Sequence, residues 1–330
     1  MHTDAYEAYL QSQGVSAQEV AERIQAVQAL EETLRELGTD LASAGKPEIE
    51  RIAGRMIALG INTLRRFEIL AEYALWRGLR SQYILLVEVT DCHNGMETLR
   101  ETIRRRHGEA VCGRIFAEEP PPLGASERER YEYTSKISRR METLLSPEDA
   151  RAAWFTVKHG IAETYWQAQD AAEREKYQDC PSIDAFLLRK QRDRADMLKR
   201  LHAQGALWFT MEMTDEVLDF VLNDPHMVLA ERNGKKGILI TKVPYQAGRF
   251  LRETDETLKR YYACHCPLIR EAIVRGEPIP PEVCNCSLGH ASHFLTGLGL
   301  ALTGEVLESV ARGDERCRFI FYLPEPCAGV

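Results

Sequence analysis

The sequence predicts an α+β fold, in which an N-terminal all-α helical module precedes an α+β domain with helices packed on an antiparallel sheet. Three observations lead to this prediction. The first 116 residues repeat apolar positions at helical spacing, a proline-rich segment follows, and two pairs of short apolar runs near the C-terminus are each joined by a turn. Helices followed by strands, without regular alternation, are typical of the α+β class.

The N-terminal module contains a helix with a clear start signal. Ser16 is followed three residues later by Glu19, the spacing of a capping box, and apolar residues then recur at helical spacing. Further helices are predicted from Pro47 to Gly60, from a cap at Asn62 to Gly78, and over 82–92, where β-branched residues leave the choice between helix and strand open.

A proline-rich segment separates the two predicted domains. Residues 117–128 read AEEPPPLGASER, and three consecutive prolines followed by a glycine favour a stiff, exposed connection. The predicted organisation is therefore a helical domain over 1–116, a linker over 117–128 and an α+β domain over 129–330.

The second domain changes from helical to strand-like sequence. Helices are predicted over 129–145, 147–177 and 182–204. The pair Asn233-Gly234 then joins two apolar runs, which is a strong hairpin signal, and Gly313-Asp314 joins the last two runs. Residues 292–302, which lie between the two hairpins, are predicted to be a helix or the end of one.

The composition predicts a cytoplasmic globular protein without a general attraction to nucleic acid. The 330 residues are 44% hydrophobic and 28% charged, with a net charge of −8 that disfavours nucleic acid and anionic membranes as partners. No apolar run reaches the roughly 20 residues of a membrane span, and the N-terminus has neither the basic nor the apolar region of a signal peptide. Cytoplasmic cysteines are more often metal ligands, reactive thiols or packing residues than structural disulfides.

Two Cys-x-Cys pairs are the main candidate site. The first pair is Cys264 and Cys266, the second pair is Cys284 and Cys286, and Cys317 follows later in the chain. Structural zinc takes four thiolates or imidazoles in a tetrahedron, and ligands commonly come as two pairs from separate loops. The five cysteines therefore predict a zinc site with one thiol to spare.

The same cysteines have other interpretations. Cys286 precedes a predicted helix whose dipole favours a thiolate, and His290, four residues later, or His293 would be the general base of a reactive thiol. A reversible disulfide between the two pairs is another possibility. Buried packing is the remaining interpretation, and it is favoured for the scattered cysteines, which are Cys92, Cys112, Cys180 and Cys327.

The C-terminal sequence CNCSLGHASHFLTGLGLALTGEVLESVARGDERCRFIFYLP, residues 284–324, resembles the end of 4-vinyl-reductase-type domains. These are small-molecule-binding α+β domains, and the resemblance implies a zinc site beside a ligand pocket. Cys284 or Cys286 matches the first ligand of that family and Cys317 the last. Ser309 stands where the family has another cysteine, so the first pair would have to supply the missing ligands.

Two further resemblances imply alternative functions. Residues 180–325 are similar to an uncharacterised bacterial family near the L-2-amino-thiazoline-4-carboxylate hydrolases, which implies hydrolysis of a small C–N or C–S compound by Cys286 or by a zinc-bound water. Residues 56–78 resemble, in helix spacing only, the core-binding domain of tyrosine recombinases, which implies a DNA-associated regulator.

The leading expectation is a small-molecule-binding protein with a cysteine-rich zinc site. The expected ligand is a small apolar or aromatic molecule, because such domains hold their ligands in an apolar pocket under the sheet. A second copy of the chain is the other partner considered, since the N-terminal module would offer a packing surface. Nucleic acid and membranes are not expected partners.

Overall fold

The computed structural model describes residues 2–161, 163–228, 231–234, 237–300 and 302–324. The fold is α+β, as predicted, with helices first and a small antiparallel sheet later in the chain. Contacts divide the chain into two compact units, Met1–His93 with Pro120–Arg130, and Asn94–Glu119 with Tyr131–Val330. No helix in the described part of the chain combines the length and apolar character needed to cross a membrane.

The first unit is built on helices, as predicted. Helices α1 to α5 span His2–Ser12, Ala17–Glu36, Lys46–Ala58, Leu64–Trp76 and Arg80–Thr90, so the ambiguous segment over 82–92 is helical. The side chain of Ser16 accepts a hydrogen bond from the backbone of Glu19, which confirms the predicted start of α2. The cap of α4 is Thr63 instead of Asn62, whose side chain donates to the Leu123 carbonyl.

The boundary between the units differs from the predicted one. Helices α6 (Gly95–His107) and α7 (Glu109–Ile115) were expected in the N-terminal domain but belong to the second unit. The hydroxyl of Thr102 on α6 lies 2.9 Å from that of Thr156, a residue of the second unit. This contact joins residues 54 positions apart, so local sequence patterns do not reveal it.

The proline-rich segment is packed against the first unit, which corrects its prediction as an exposed linker. Leu123 packs against the apolar core of that unit. A Cβ atom at Gly124 would lie only 3.1 Å from the ring of Phe67. The glycine therefore permits a close approach of the segment to α4, and proline content alone does not predict exposure.

The second unit contains the remaining elements. Helices α8 to α17 span Glu127–Leu144, Pro147–Phe155, Glu163–Tyr177, Ile183–Ala203, Asp215–Leu222, Pro225–Val228, Ala247–Arg252, Glu256–Ala263, Arg270–Arg275 and Asn285–Ser292, and α8 enters this unit at Tyr131. Short 3₁₀ helices span Lys158–Gly160, Pro281–Cys284, His293–Leu298 and Val310–Arg312. Strands β1 to β6 span Leu207–Trp208, Met211–Glu212, Glu231–Asn233, Gly237–Thr241, Thr303–Glu308 and Arg318–Tyr322.

Both predicted hairpins are confirmed. Strands β3 and β4 pair antiparallel, β5 and β6 pair antiparallel, and the four-stranded sheet has the order β3-β4-β6-β5. Helix α17 and the 3₁₀ helix that follows it lie between the two hairpins in the chain, as expected. The apolar core between sheet and helix includes Ile238, Phe319 and Phe321 from the strands and Leu288 from α17.

The prediction of one continuous helix over 147–177 is wrong. Helix α9 ends at Phe155, and α10 begins only at Glu163. Between them, His159 has a left-handed backbone (φ 59°), a conformation that side chains with a Cβ rarely adopt. The turn directs a largely buried imidazole into the protein, where it contacts α17. Tertiary contacts therefore override the helical periodicity of this segment.

Candidate functional site

The five predicted cysteines line one cavity of about 10 Å³, which we call the thiol centre. The centre comprises Cys264, Cys266, Cys284, Cys286 and Cys317. Cys317 is half-buried and the other four are buried. The structure therefore brings the two Cys-x-Cys pairs and the later cysteine to one cavity.

Four of the five cysteines lie at or next to the end of a secondary-structure element, and Cys266 lies in the loop between α15 and α16. Cys264 is the C-cap of α15, Cys284 ends the 3₁₀ helix before α17, and Cys286 lies in the first turn of α17. Cys317 immediately precedes β6, and its carbonyl accepts a hydrogen bond of 2.9 Å from the backbone N–H of Lys242. This bond continues the pairing of β4 and β6 and brings Lys242 to the centre.

His159 is a residue of the site that the sequence did not indicate. Its backbone N–H donates to Cys286 Sγ at 3.1 Å, and its ring Nδ1 lies 3.8 Å from the same sulfur. The left-handed turn that breaks the predicted helix produces both contacts. The only signal in the sequence is Gly160, a residue with low helix propensity inside an otherwise helical pattern.

Lys242 and Ser287 hold the other side of the His159 ring. The Nε2 atom of His159 lies 2.9 Å from Lys242 Nζ and 3.2 Å from Ser287 Oγ, and Lys242 Nζ donates to Ser287 Oγ at 3.3 Å. Lys242 directly follows the last residue of β4. A lysine at the end of a strand is usually exposed to solvent, so the sequence did not indicate it as a site residue. A sulfur, an imidazole, a hydroxyl and an ammonium therefore form one connected cluster.

Ser309 lines the same cavity as the five cysteines of the thiol centre. Its hydroxyl lies 3.1 Å from Cys284 Sγ, and the residue is only 2% exposed. Its backbone N–H donates to the carboxylate of Asp314 at 2.7 Å, which fixes the turn before β6. The hydroxyl is thus positioned where the resemblance implies a ligand, but it is a weaker ligand than a thiolate for a soft metal.

Two further histidines lie near the centre. The Nε2 atom of His265 bonds the carbonyl of Val243 at 2.7 Å, so this nitrogen carries the proton and Nδ1 has a free lone pair. His290, the predicted general base, has its ring 4.8 Å from the ring of His159. The imidazole that the structure places directly against Cys286 is that of His159, while the role of His290 as base stays a prediction.

Burial raises the pKa of four of the five thiols and so favours their protonated form. It raises the pKa of Cys264 to about 12 and that of Cys284 to about 11, and it also raises the pKa of Cys266 and Cys317. Burial is likewise the main cause that lowers the pKa of Lys242. Burial therefore disfavours the charged forms of these thiols and of the Lys242 ammonium.

The thiol centre fits zinc by the nature of its donors and by its size. Five sulfurs around a space of about one atom match a soft, thiophilic ion. As they stand, however, no three His, Cys, Asp or Glu side chains among the described residues are arranged to hold a metal ion. Coordination would therefore require rotation of some cysteine side chains towards a common point.

The other cysteines lie outside the thiol centre. Cys92 and Cys112 are buried, as the packing interpretation predicts, and Cys180 is half-buried beside the core under the sheet. Cys327 lies outside the described residues. All eight described cysteines are unbonded thiols.

Comparison with known proteins identifies no relative. No protein-family model matches the chain, and no curated protein or solved structure matches it.

Proposed function

We propose that the thiol centre binds a metal ion, with zinc as the first candidate, in a small-molecule-binding protein. The observation that carries the proposal is the convergence of five cysteines on one cavity of about 10 Å³. A cavity of this size accommodates about one water molecule or one ion. It is too small for an organic substrate, so a single ion is the occupant that matches both the size and the donors.

The charge of Lys242 supports the same proposal. An ammonium removed from water needs an anion nearby. Among the described residues Lys242 forms no ion pair with a carboxylate, and its polar contacts are His159 and Ser287. The groups that favour its charged form are the sulfurs of Cys317, Cys286, Cys264 and Cys266, when ionised. Zinc bound by four thiolates has a net charge of −2, which a nearby ammonium would partly balance.

A metal at this position would have a structural role. The cysteines come from the end of α15, the start of α17 and the start of β6, so one ion would hold these elements together. The small-molecule ligand expected from the resemblance would then bind elsewhere in the unit. The unbonded state of the eight described cysteines agrees with a reducing compartment, and we place the protein in the cytoplasm.

Metal analysis of the protein purified without a tag and without added metal tests the proposal. We expect about one zinc per chain, with X-ray absorption spectra dominated by sulfur ligands. The variants Cys266→Ser and Cys284→Ser should lose most of the metal. The matched control is Cys112→Ser, which changes an equally buried cysteine outside the thiol centre and should keep it. A protein that contains no zinc and takes up none on titration would refute the proposal.

A cysteine-dependent hydrolase is the second candidate function. It is favoured by one observation, the 3.8 Å separation between Cys286 Sγ and His159 Nδ1, which is suitable for a thiol with its base. Such an enzyme would need its closed centre to open for the substrate. If the protein contains no metal, iodoacetamide at neutral pH should modify Cys286 before the other cysteines and His159→Gln should slow this reaction. Equal modification rates would exclude this function.

The net charge of −8 argues against the DNA-associated role, which we do not propose.

A further inference from the structure

A cleft along α11 has the dimensions of a small-molecule site. Its volume is about 430 Å³, within the range of roughly 300–1,000 Å³ that ligand pockets occupy. The charged residues of its lining are Lys176, Lys190, Arg194, Arg200, Asp193 and Asp196. Four cations and two carboxylates give the lining a surplus of positive charge, although the whole chain is acidic.

The two lysines of the cleft are already neutralised. Lys176 Nζ lies 2.5 Å from the carboxylate of Asp193, and the largely buried Lys190 is paired with Glu173. The two arginines are different, because neither Arg194 nor Arg200 forms an ion pair with a described carboxylate. The surplus charge of the cleft therefore lies on its guanidinium groups.

Arg194 is held in place by aromatic rings. Its guanidinium carbon lies 4.9 Å from the ring centroid of Phe294 and 5.3 Å from that of Trp208, distances typical of cation–π contacts. Contacts of this kind engage the face of a guanidinium and leave the N–H groups at its edge available. Within the described part of the chain, no hydrogen bond from these N–H groups satisfies them, although the residue is half-buried.

We infer that this cleft binds a small organic anion, through a carboxylate or phosphate group that Arg194 holds with two parallel hydrogen bonds. A planar guanidinium fixed by aromatic contacts is preorganised for such a group. Arg200 adds a second positive charge to the lining of the cleft, and Met197 offers apolar surface to the rest of the ligand. The inference rests on the proposed small-molecule-binding role but is independent of the metal.

The cleft is close to the thiol centre. The ring of Phe294 is 6.2 Å from that of His290, which is 4.8 Å from that of His159. A ligand against Arg194 would therefore lie at one end of a row of rings that leads to Cys286.

Calorimetric titration of the full-length protein with three probes tests the inference. The probes are benzoate, inorganic phosphate and the uncharged benzyl alcohol. We expect benzoate or phosphate to bind, and benzyl alcohol to bind at least about tenfold more weakly, because a charge-assisted bidentate pair contributes 1.4 kcal/mol or more. Which anion binds more tightly identifies the carboxylate or the phosphate as the recognised group.

Paired variants on the same helix locate the site. Arg194→Gln should weaken anion binding by about tenfold or more, whereas Arg192→Gln, which changes an exposed arginine outside the cleft lining, should not alter it. Arg200→Gln should have an intermediate effect. If Arg194→Gln fails to fold in a thermal melt, Arg194→Lys takes its place, since it keeps the charge but loses the paired donors.

Three results would overturn the inference. The first is a wild-type protein that binds neither anion up to about 10 mM, and the second is one that binds benzyl alcohol as tightly as benzoate. The third is an equal loss of binding in the Arg192 and Arg194 variants. Zinc content measured in the same samples separates these results from a failure of the metal proposal.

Discussion

Cys286 Sγ accepts a hydrogen bond of 3.1 Å from the backbone N–H of His159, although the two residues are 127 positions apart in the chain. The contact joins the first turn of α17 to the break between α9 and α10. It satisfies a buried N–H at a turn whose backbone conformation is unfavourable for a residue with a side chain. The cysteine therefore has a structural role that is separate from any metal or chemistry.

Removing this sulfur should destabilise the metal-free protein. Cys286→Ala leaves the buried N–H of His159 without its acceptor and creates a small cavity, so we expect a loss of about 2 kcal/mol in the free energy of unfolding. The matched control is Cys112→Ala, which removes an equally buried sulfur whose thiol donates weakly at 3.5 Å to the carbonyl of Arg100. Urea unfolding after chelator treatment measures both. Equal losses would show that packing alone explains the effect.

Gly289 allows α17 to approach α9 closely. A Cβ at this position would lie 1.9 Å from the carbonyl oxygen of Phe155, the last residue of α9. Because backbone must move to relieve this clash, we expect Gly289→Ala to cost about 3 kcal/mol or more. It should also shift the turn that holds His159.

The control for this substitution is Gly113→Ala in α7. No atom lies within 4 Å of a Cβ built at that glycine, and its backbone angle is an ordinary one. Alanine there should be neutral or stabilise the protein by up to about 1 kcal/mol, because it favours the helix. Thermal unfolding of the two variants measures the difference, and similar melting temperatures would contradict the close contact.

Lys242 should affect metal affinity and apo stability in different directions. If its ammonium balances thiolates, Lys242→Met should lower zinc affinity by about tenfold, which competition with a chromophoric chelator measures. The metal-free variant should be no less stable than the wild type, because an ammonium without a carboxylate partner is unfavourable away from water. The side chains of His159 and Ser287, which lie 3.2 Å apart, can still form a hydrogen bond with each other. Lys199→Met, at an exposed position of α11, is the control and should change neither property. Unchanged zinc affinity in Lys242→Met would argue against charge balance.

The stability of the metal-free protein should fall below about pH 6.5. Burial, followed by the charge of Lys242, lowers the pKa of His159, His265 and His290 well below the usual value of 6.5. The unfolded chain then binds more protons than the folded protein. Stability therefore decreases as the pH falls, by up to about 1.4 kcal/mol per pH unit for each histidine.

Urea unfolding between pH 7.5 and 5.5 measures this dependence. Removing one of the three imidazoles by His159→Gln should reduce the slope by about one proton. His93→Gln, which changes an exposed histidine, should leave the slope unchanged. The same slope in all three proteins would mean that His159 is not buried in its neutral form.

Much of the fold follows from local sequence patterns. The Ser16 cap, the hairpin at Asn233-Gly234 and the last hairpin of the sheet depend on residues that are neighbours in the chain, and all three are present. The convergence of the five cysteines was also expected from the sequence, because two closely spaced cysteine pairs are typical of a common site. The identity of the site's other members was not.

Long-range packing decides which other residues join the site and to which unit a helix belongs. Lys242 contacts His159 although they are 83 positions apart in the chain. In the same way, the contact of Thr102 with Thr156, 54 positions away, holds α6 in the second unit. The left-handed backbone of His159 contradicts its helical sequence context and exists because Cys286 and Lys242 hold it. No local pattern encodes such contacts.

The sequence by itself determined the α+β class, the hairpins and the set of thiols. Only the tertiary structure decided that a lysine and a histidine complete the thiol centre and that Arg194 faces a cleft without a carboxylate partner among the described residues. The physical reason is the range of the interactions. Periodicity, capping and turns act over a few residues, whereas burial and charge balance depend on which distant segments meet.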